Sequence, residues 1–120
     1  MDARLLGSWG EAQAAEYLRC RGFRILAMNF RCRLGELDIV AEDRRYLVFV
    51  EVKLRKNGHF AEAREFVTRA KQERLLAAAQ IWLGQNPSTK QPRFDVIEIY
   101  APRGMDPANI EIRQIENAFM

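Results

Sequence analysis

The sequence predicts an α/β fold, with a mixed central sheet flanked by helices, in the order helix, three strands, helix, strand. Three observations lead there. Two stretches repeat apolar residues at helical spacing and end in helix-stop residues. The segments between 23 and 53 are short, rich in β-branched and aromatic residues, and divided by polar turns. One of them, Leu47-Val48-Phe49-Val50, is apolar without alternation, as expected of a strand covered on both faces.

Residues 3–21 read as the first helix, rich in Ala and Leu and closed by Gly22. Phe23 to Phe30 reads as a strand, Gly35 to Ala41 as a second and Tyr46 to Lys53 as a third. The polar run Glu42-Asp43-Arg44-Arg45 makes the last two a hairpin. Residues 55–67 have no clear period. From Thr68, the residues Leu75, Leu76, Ala79, Trp82 and Leu83 mark a second helix, which Gly84 and Asn86-Pro87 end. Arg93 to Tyr100 is a fourth strand, Pro102 to Asn109 a loop, and Ile110 to Ile115 a candidate edge strand.

A chain of 120 residues fits a single domain spanning 1–120. With 48% hydrophobic and 29% charged residues, disorder is excluded, and two cysteines, Cys20 and Cys32, are too few for a disulfide scaffold. No apolar run approaches the ~18 residues of a membrane span. The start of the chain offers only Leu5 and Leu6 where a secretory leader needs an apolar core. The expectation is a soluble, cytoplasmic protein. A net charge of +3 permits an acidic partner without naming one.

The chemistry sits in polar residues that do not belong in a core. Along the third strand Glu51 and Lys53 share one face, and Val50 and Val52 the other; in the second strand Glu36 and Asp38 share a face opposite Leu37 and Ile39. A four-residue hairpin loop places Glu42 opposite Leu47, and hence Asp38 opposite Glu51, with Cβ atoms ~4.5–5.5 Å apart. Two carboxylates so close repel unless a cation sits between them. Lys53 supplies one positive charge, and a divalent metal a better match; the alternative is a salt-bridged patch. On the first helix, Glu11 shares its face with Gly7, Ala14, Ala15 and Leu18, which aims a carboxylate at the sheet. Residues 31–74 hold eleven Lys and Arg against eight Asp and Glu. Arg31, Arg33, Arg55, Lys56, Arg64, Arg69 and Lys71 flank the acidic set, a distribution able to neutralise phosphates. The single histidine, His59, reads as a loop residue.

The ordered series Gly35-Glu36-Leu37-Asp38, then Glu51-Val52-Lys53, resembles the PD-(D/E)XK motif of restriction-endonuclease-like nucleases. The chain is more closely similar to a small bacterial family of YraN type, itself similar to archaeal Holliday-junction resolvases. That resemblance includes Gly7-Ser8-Trp9-Gly10-Glu11, Asn29, Phe49 to Arg55, Lys71-Gln72, Arg93-Phe94-Asp95-Val96 and Asn117-Ala118-Phe119. It implies a restriction-endonuclease-like αβββαβ core and a metal-dependent nuclease hydrolysing phosphodiester bonds of structured DNA. Asp38, Glu51 and the Val52 carbonyl would hold Mg²⁺ or Mn²⁺. Lys53 would orient the attacking water, Glu11 would assist, and Gln72 would support the site from nearby. Arg31, Arg33, Arg55, Lys56 and Lys71 would meet nucleic acid, and a homodimer would suit a two-fold junction. Leu37 stands where the motif's name has Pro, and Ala61 follows Phe60 where the YraN pattern usually has Gly. Two rivals stay open: a non-catalytic nucleic-acid-binding module of the same fold, and a protein-interaction domain whose charge cluster is structural.

Overall fold

The computed structural model describes residues 3–56 and 67–119. The chain runs α1 (Ala3–Cys20), β1 (Arg24–Cys32), β2 (Gly35–Glu42), β3 (Tyr46–Arg55), α2 (Arg69–Gln85), β4 (Gln91–Tyr100) and β5 (Glu111–Ile115). This is the expected order, with the last candidate strand present. His59, Arg64 and the Phe60-Ala61 pair lie outside the described residues.

Local chemistry sets the boundaries. After α1 the Phe23 N–H donates to the Leu18 carbonyl and the Gly22 N–H to that of Arg19. This double closure needs a left-handed residue, and Gly22 supplies it at φ 91°. The first strand therefore starts at Arg24 rather than Phe23, whose ring turns into the core, and pairing with β2 carries it on to Cys32. At the N-terminus of α2, the Thr68 hydroxyl accepts the Lys71 N–H at 3.2 Å.

The five strands form one sheet in the order β1-β2-β3-β4-β5. Only the β3–β4 pair is parallel, because the chain crosses over through α2 between them. The helices cover opposite faces. Leu75, Ala78, Ala79 and Trp82 of α2 pack with Leu47, Phe49, Phe94 and Val96. Ala14, Ala15 and Leu18 of α1 pack with Ile39, Val48, Val50, Ile97 and Ile99. β3 contributes alternately to both cores, which explains its unbroken apolar run.

Asp95 is 1% exposed and fully occupied. Arg93 donates to both of its oxygens at 2.9 Å, Gln114 at 2.8 Å, and the Asn117 N–H at 3.0 Å. Asn117 takes φ 50°, and the next N–H, of Ala118, donates to the Phe94 carbonyl at 2.8 Å. The segment after β5 is thus clasped to the fourth strand.

Candidate active site

The candidate site lies where β2 and β3 part. Their ladder pairs Glu42 with Leu47 through to Ile39 with Val50, the register expected from the hairpin loop, and stops there. Asp38 and Glu51 come next, just beyond the last ladder pair. In place of a ladder bond, the Val52 N–H donates to Asp38 Oδ2 at 2.9 Å. The parting also breaks the expected alternation in β2: Leu37 packs in the α2-side core and Ile39 in the α1-side core, so the two do not share a face. On its other edge β2 stays paired with β1 through this stretch, Phe30 with Leu37 and Arg31 with Glu36.

A cleft of about 390 Å³ opens at this point, lined by Glu11, Glu36, Asp38, Glu51, Lys71 and Arg74. Its wall is tight. A Cβ on Gly35 would stand 2.7 Å from the Arg74 carbonyl oxygen, so only glycine lets the start of β2 approach α2 this closely. Glu51 is 7% exposed. Its Oε1 is 3.3 Å from Lys53 Nζ and also receives Lys71 Nζ. Val50 and Val52 turn to the α1 side, as the strand alternation requires.

The electrostatics follow from burial. Asp38 is pushed up to about 7, first by desolvation and then by the Glu51 charge, against the pull of the Val52 N–H. Glu11 is also raised, mainly by burial; Asn29 opposes the shift, while Glu36 and Glu51 add to it. Lys53 is lowered by burial and by the neighbouring Lys71. For Lys71 burial works downward, but Glu51, with Lys53 and Asp38 adding to it, makes the net shift upward. Burial thus works against the charged form of all four groups.

The predicted residues divide clearly. Glu11, Asp38, Glu51 and Val52 line the cleft, and Lys53 reaches it through Glu51. Lys71, expected among the nucleic-acid contacts, stands inside on Glu51. Gln72 does not face the cleft; its amide donates to the Val67 carbonyl at 3.0 Å. Arg31 pairs with Glu36 at 3.3 Å, while Arg33 and Lys56 are exposed. Arg55 turns to Glu98 at 3.6 Å. Two residues escaped the sequence reading. Arg74 could have been found from its place three residues after Lys71, on the same helix face. Glu98, 0% exposed, carries the signal that flagged Glu51: a carboxylate set within an apolar strand.

Among the described residues, no group of three His, Cys, Asp or Glu stands ready to hold a metal. The donor set is instead the Asp38 and Glu51 carboxylates beside Val52. Oxygen donors of this kind suit Mg²⁺ or Mn²⁺, which keep part of their water shell, and a divalent cation would relieve the repulsion that raises Asp38. The residues fit such an ion.

A family model described as "Uncharacterised protein family UPF0102" matches residues 10–99, a span that contains every residue of this cleft. The chain belongs to the UPF0102 family. It is 47% identical over 119 residues to a UPF0102 protein of Geotalea daltonii, covering 98% of this chain and 91% of the relative. It is 44% identical over 119 residues to one of Symbiobacterium thermophilum, covering 98% of both. With a Nitrosococcus oceani UPF0102 protein it shares 45% over 102 residues, 83% of this chain and 82% of the relative.

One consequence for the UPF0102 chain concerns pH. The Asp38 carboxyl moves from an ordinary 3.8 to about 7 on folding. Below pH ~4 it is protonated in both states and contributes no difference; between pH ~4 and 7 only the unfolded chain loses the proton. The contribution of Asp38 to stability therefore falls across that window and levels off above it. Asp38→Asn keeps an acceptor for the Val52 N–H and removes the charge. At pH 8 it should raise thermal stability by on the order of a few kcal/mol, with the gain gone at pH 4. Thermal melts across that range measure this; an equal or lower melting temperature at pH 8 would contradict it.

Proposed function

We propose that this protein is a metal-dependent phosphodiesterase of the restriction-endonuclease-like superfamily, acting on structured DNA. The observation that supports it most is the convergence of Asp38 and Glu51 on one cleft, at the point where β2 and β3 part, with Lys53 on Glu51. In this reading Asp38, Glu51 and the Val52 carbonyl hold Mg²⁺ or Mn²⁺. The bound ion would supply Lewis acidity toward phosphate and a lowered pKa for water.

The chain's own groups do the rest. The Lys53 ammonium orients the attacking water and offsets charge developing on the phosphate. Its lowered pKa, from burial and Lys71, also makes it readier to exchange a proton than an ordinary lysine. Glu11 faces the same space from α1, and burial raises its carboxyl above the ordinary value, which makes it readier to hold a proton than an exposed glutamate. Arg74 at the rim, with Arg31 and Arg33 on the adjoining hairpin, meets the phosphate backbone. A two-fold branched substrate calls for a homodimer.

The test is a four-way DNA junction incubated with purified protein in Mn²⁺, in Mg²⁺ and in EDTA. Cleavage that requires the metal and disappears in Asp38→Ala is the expected result. Salt-dependent binding of the junction with no cleavage under any metal condition would replace the enzyme with a binding module.

A further inference from the structure

Glu51 Oε1 receives two ammonium groups, and they come from different elements. Lys53 Nζ lies 3.3 Å away on the same strand, where β3 pairs it in register with Glu98 of β4. Lys71 Nζ reaches the same oxygen from the first turn of α2. Nothing in the helix favours a cation there. The helix dipole opposes it, and α2 has no acidic residue in its first turn. Three residues after the Thr68 cap, helices gain from Glu or Gln, which would bond back to the cap. What accounts for a lysine at this position lies across the cleft, in the carboxylates.

We propose that Lys71 is the resident counter-ion of the cleft: its ammonium sits on the carboxylate that would hold a divalent cation, and it must leave for that cation to bind. The inference deepens the metal-dependent reading and rests on it. The same geometry selects Lys71, rather than Lys53, as the group that leaves. The anions that hold Lys71 are Glu51, in contact, and Asp38, nearby, and a bound divalent ion would take both. Lys53 stands on β3 two residues from Glu51 itself, whereas Lys71 reaches Glu51 from a separate element. An incoming cation on Glu51 would also meet two like charges at contact range, and losing one of them removes most of that repulsion.

Lys71 has somewhere to go. Its side chain is 28% exposed, and Arg74, one turn along the same helix, lines the same opening. An ammonium moved to the mouth would join Arg74 in contacting a substrate phosphate. The exchange keeps the cleft near charge balance: a divalent ion arrives, one ammonium withdraws, and an anionic phosphate follows it. Binding of cation and of phosphate would then be coupled through one side chain.

Calorimetric titration of Mn²⁺ into the intact protein and into Lys71→Met, without nucleic acid, tests this directly. Lys71→Met should bind Mn²⁺ at least tenfold more tightly. Equal or weaker affinity in the variant overturns the counter-ion role while leaving the metal site standing. Silence from both proteins removes the metal reading and this inference with it. A second readout needs no substitution, should Lys71→Met fail to fold. Reductive methylation followed by mass spectrometry should modify Lys71 several-fold faster in saturating Mn²⁺ than in EDTA, with Lys53 changing less. An unchanged Lys71 rate would sink the proposal.

Discussion

Glu51→Gln should lower metal-dependent cleavage of a branched DNA by at least ~10³-fold, corresponding to the loss of about 4 kcal/mol of transition-state stabilisation. The substitution keeps the shape of the side chain and an oxygen for Lys53 and Lys71, but removes the charge that both ammonium groups face. Affinity for the DNA should hold or rise, because one negative charge is withdrawn from the path of a phosphate. A loss confined to the rate, with binding intact, separates a metal-holding role from a general disturbance of the surface. Single-turnover cleavage with a parallel binding titration measures both. Activity equal to that of the unaltered protein would identify a contaminating nuclease and remove the enzymatic reading.

The largest effect on folding is expected at Asp95, midway along β4 and in register with Val50. Asp95→Ala should cost about 3–5 kcal/mol, the usual cost of removing one partner from a buried, hydrogen-bonded charge pair. Four hydrogen bonds end on this carboxylate, and Arg93, 11% exposed and seated over the Tyr46 ring at 4.5 Å, would keep only Glu116, at 3.9 Å, as an anionic partner. Against a total stability of roughly 5–15 kcal/mol, such a loss unfolds a substantial part of the population on mild heating. Urea melts give the size of the effect. Hydrogen exchange gives its location, since the Ala118 N–H bonded to Phe94 should lose protection first. A change under 1 kcal/mol would mean that the clasp on the last residues contributes little.

Much of the site is legible in the sequence, because it depends on short-range rules. The four-residue loop after Glu42 set the hairpin register, and strand alternation put Glu51 and Lys53 on one face and Val50 and Val52 on the other. Helical spacing likewise aimed Glu11 at the sheet, and Glu11 lines the cleft. The same rules failed where a contact depends on how elements dock. The sequence points Lys71 toward nucleic acid rather than toward Glu51, since its seat on Glu51 exists only once α2 packs against β2 and β3. The opposed cores of Leu37 and Ile39 depend on β2 leaving the ladder, which alternation cannot anticipate. The donors that Gln114 and Asn117 send to Asp95 lie beyond such rules as well, because they arrive from β5 and the turn that follows it.

The two faces of the sheet also differ in a way that a spectrometer can use. Trp82 lies in the α2-side core, edge-on to Phe49 at 6.0 Å, and Phe49 stacks on Phe94, which in turn meets Phe119. Trp9 packs against the α1-side core, on the opposite face. Each layer therefore carries its own indole and no other. Emission from a variant retaining one tryptophan would follow one layer at a time, so the order in which the layers loosen can be watched in solution without attaching a dye.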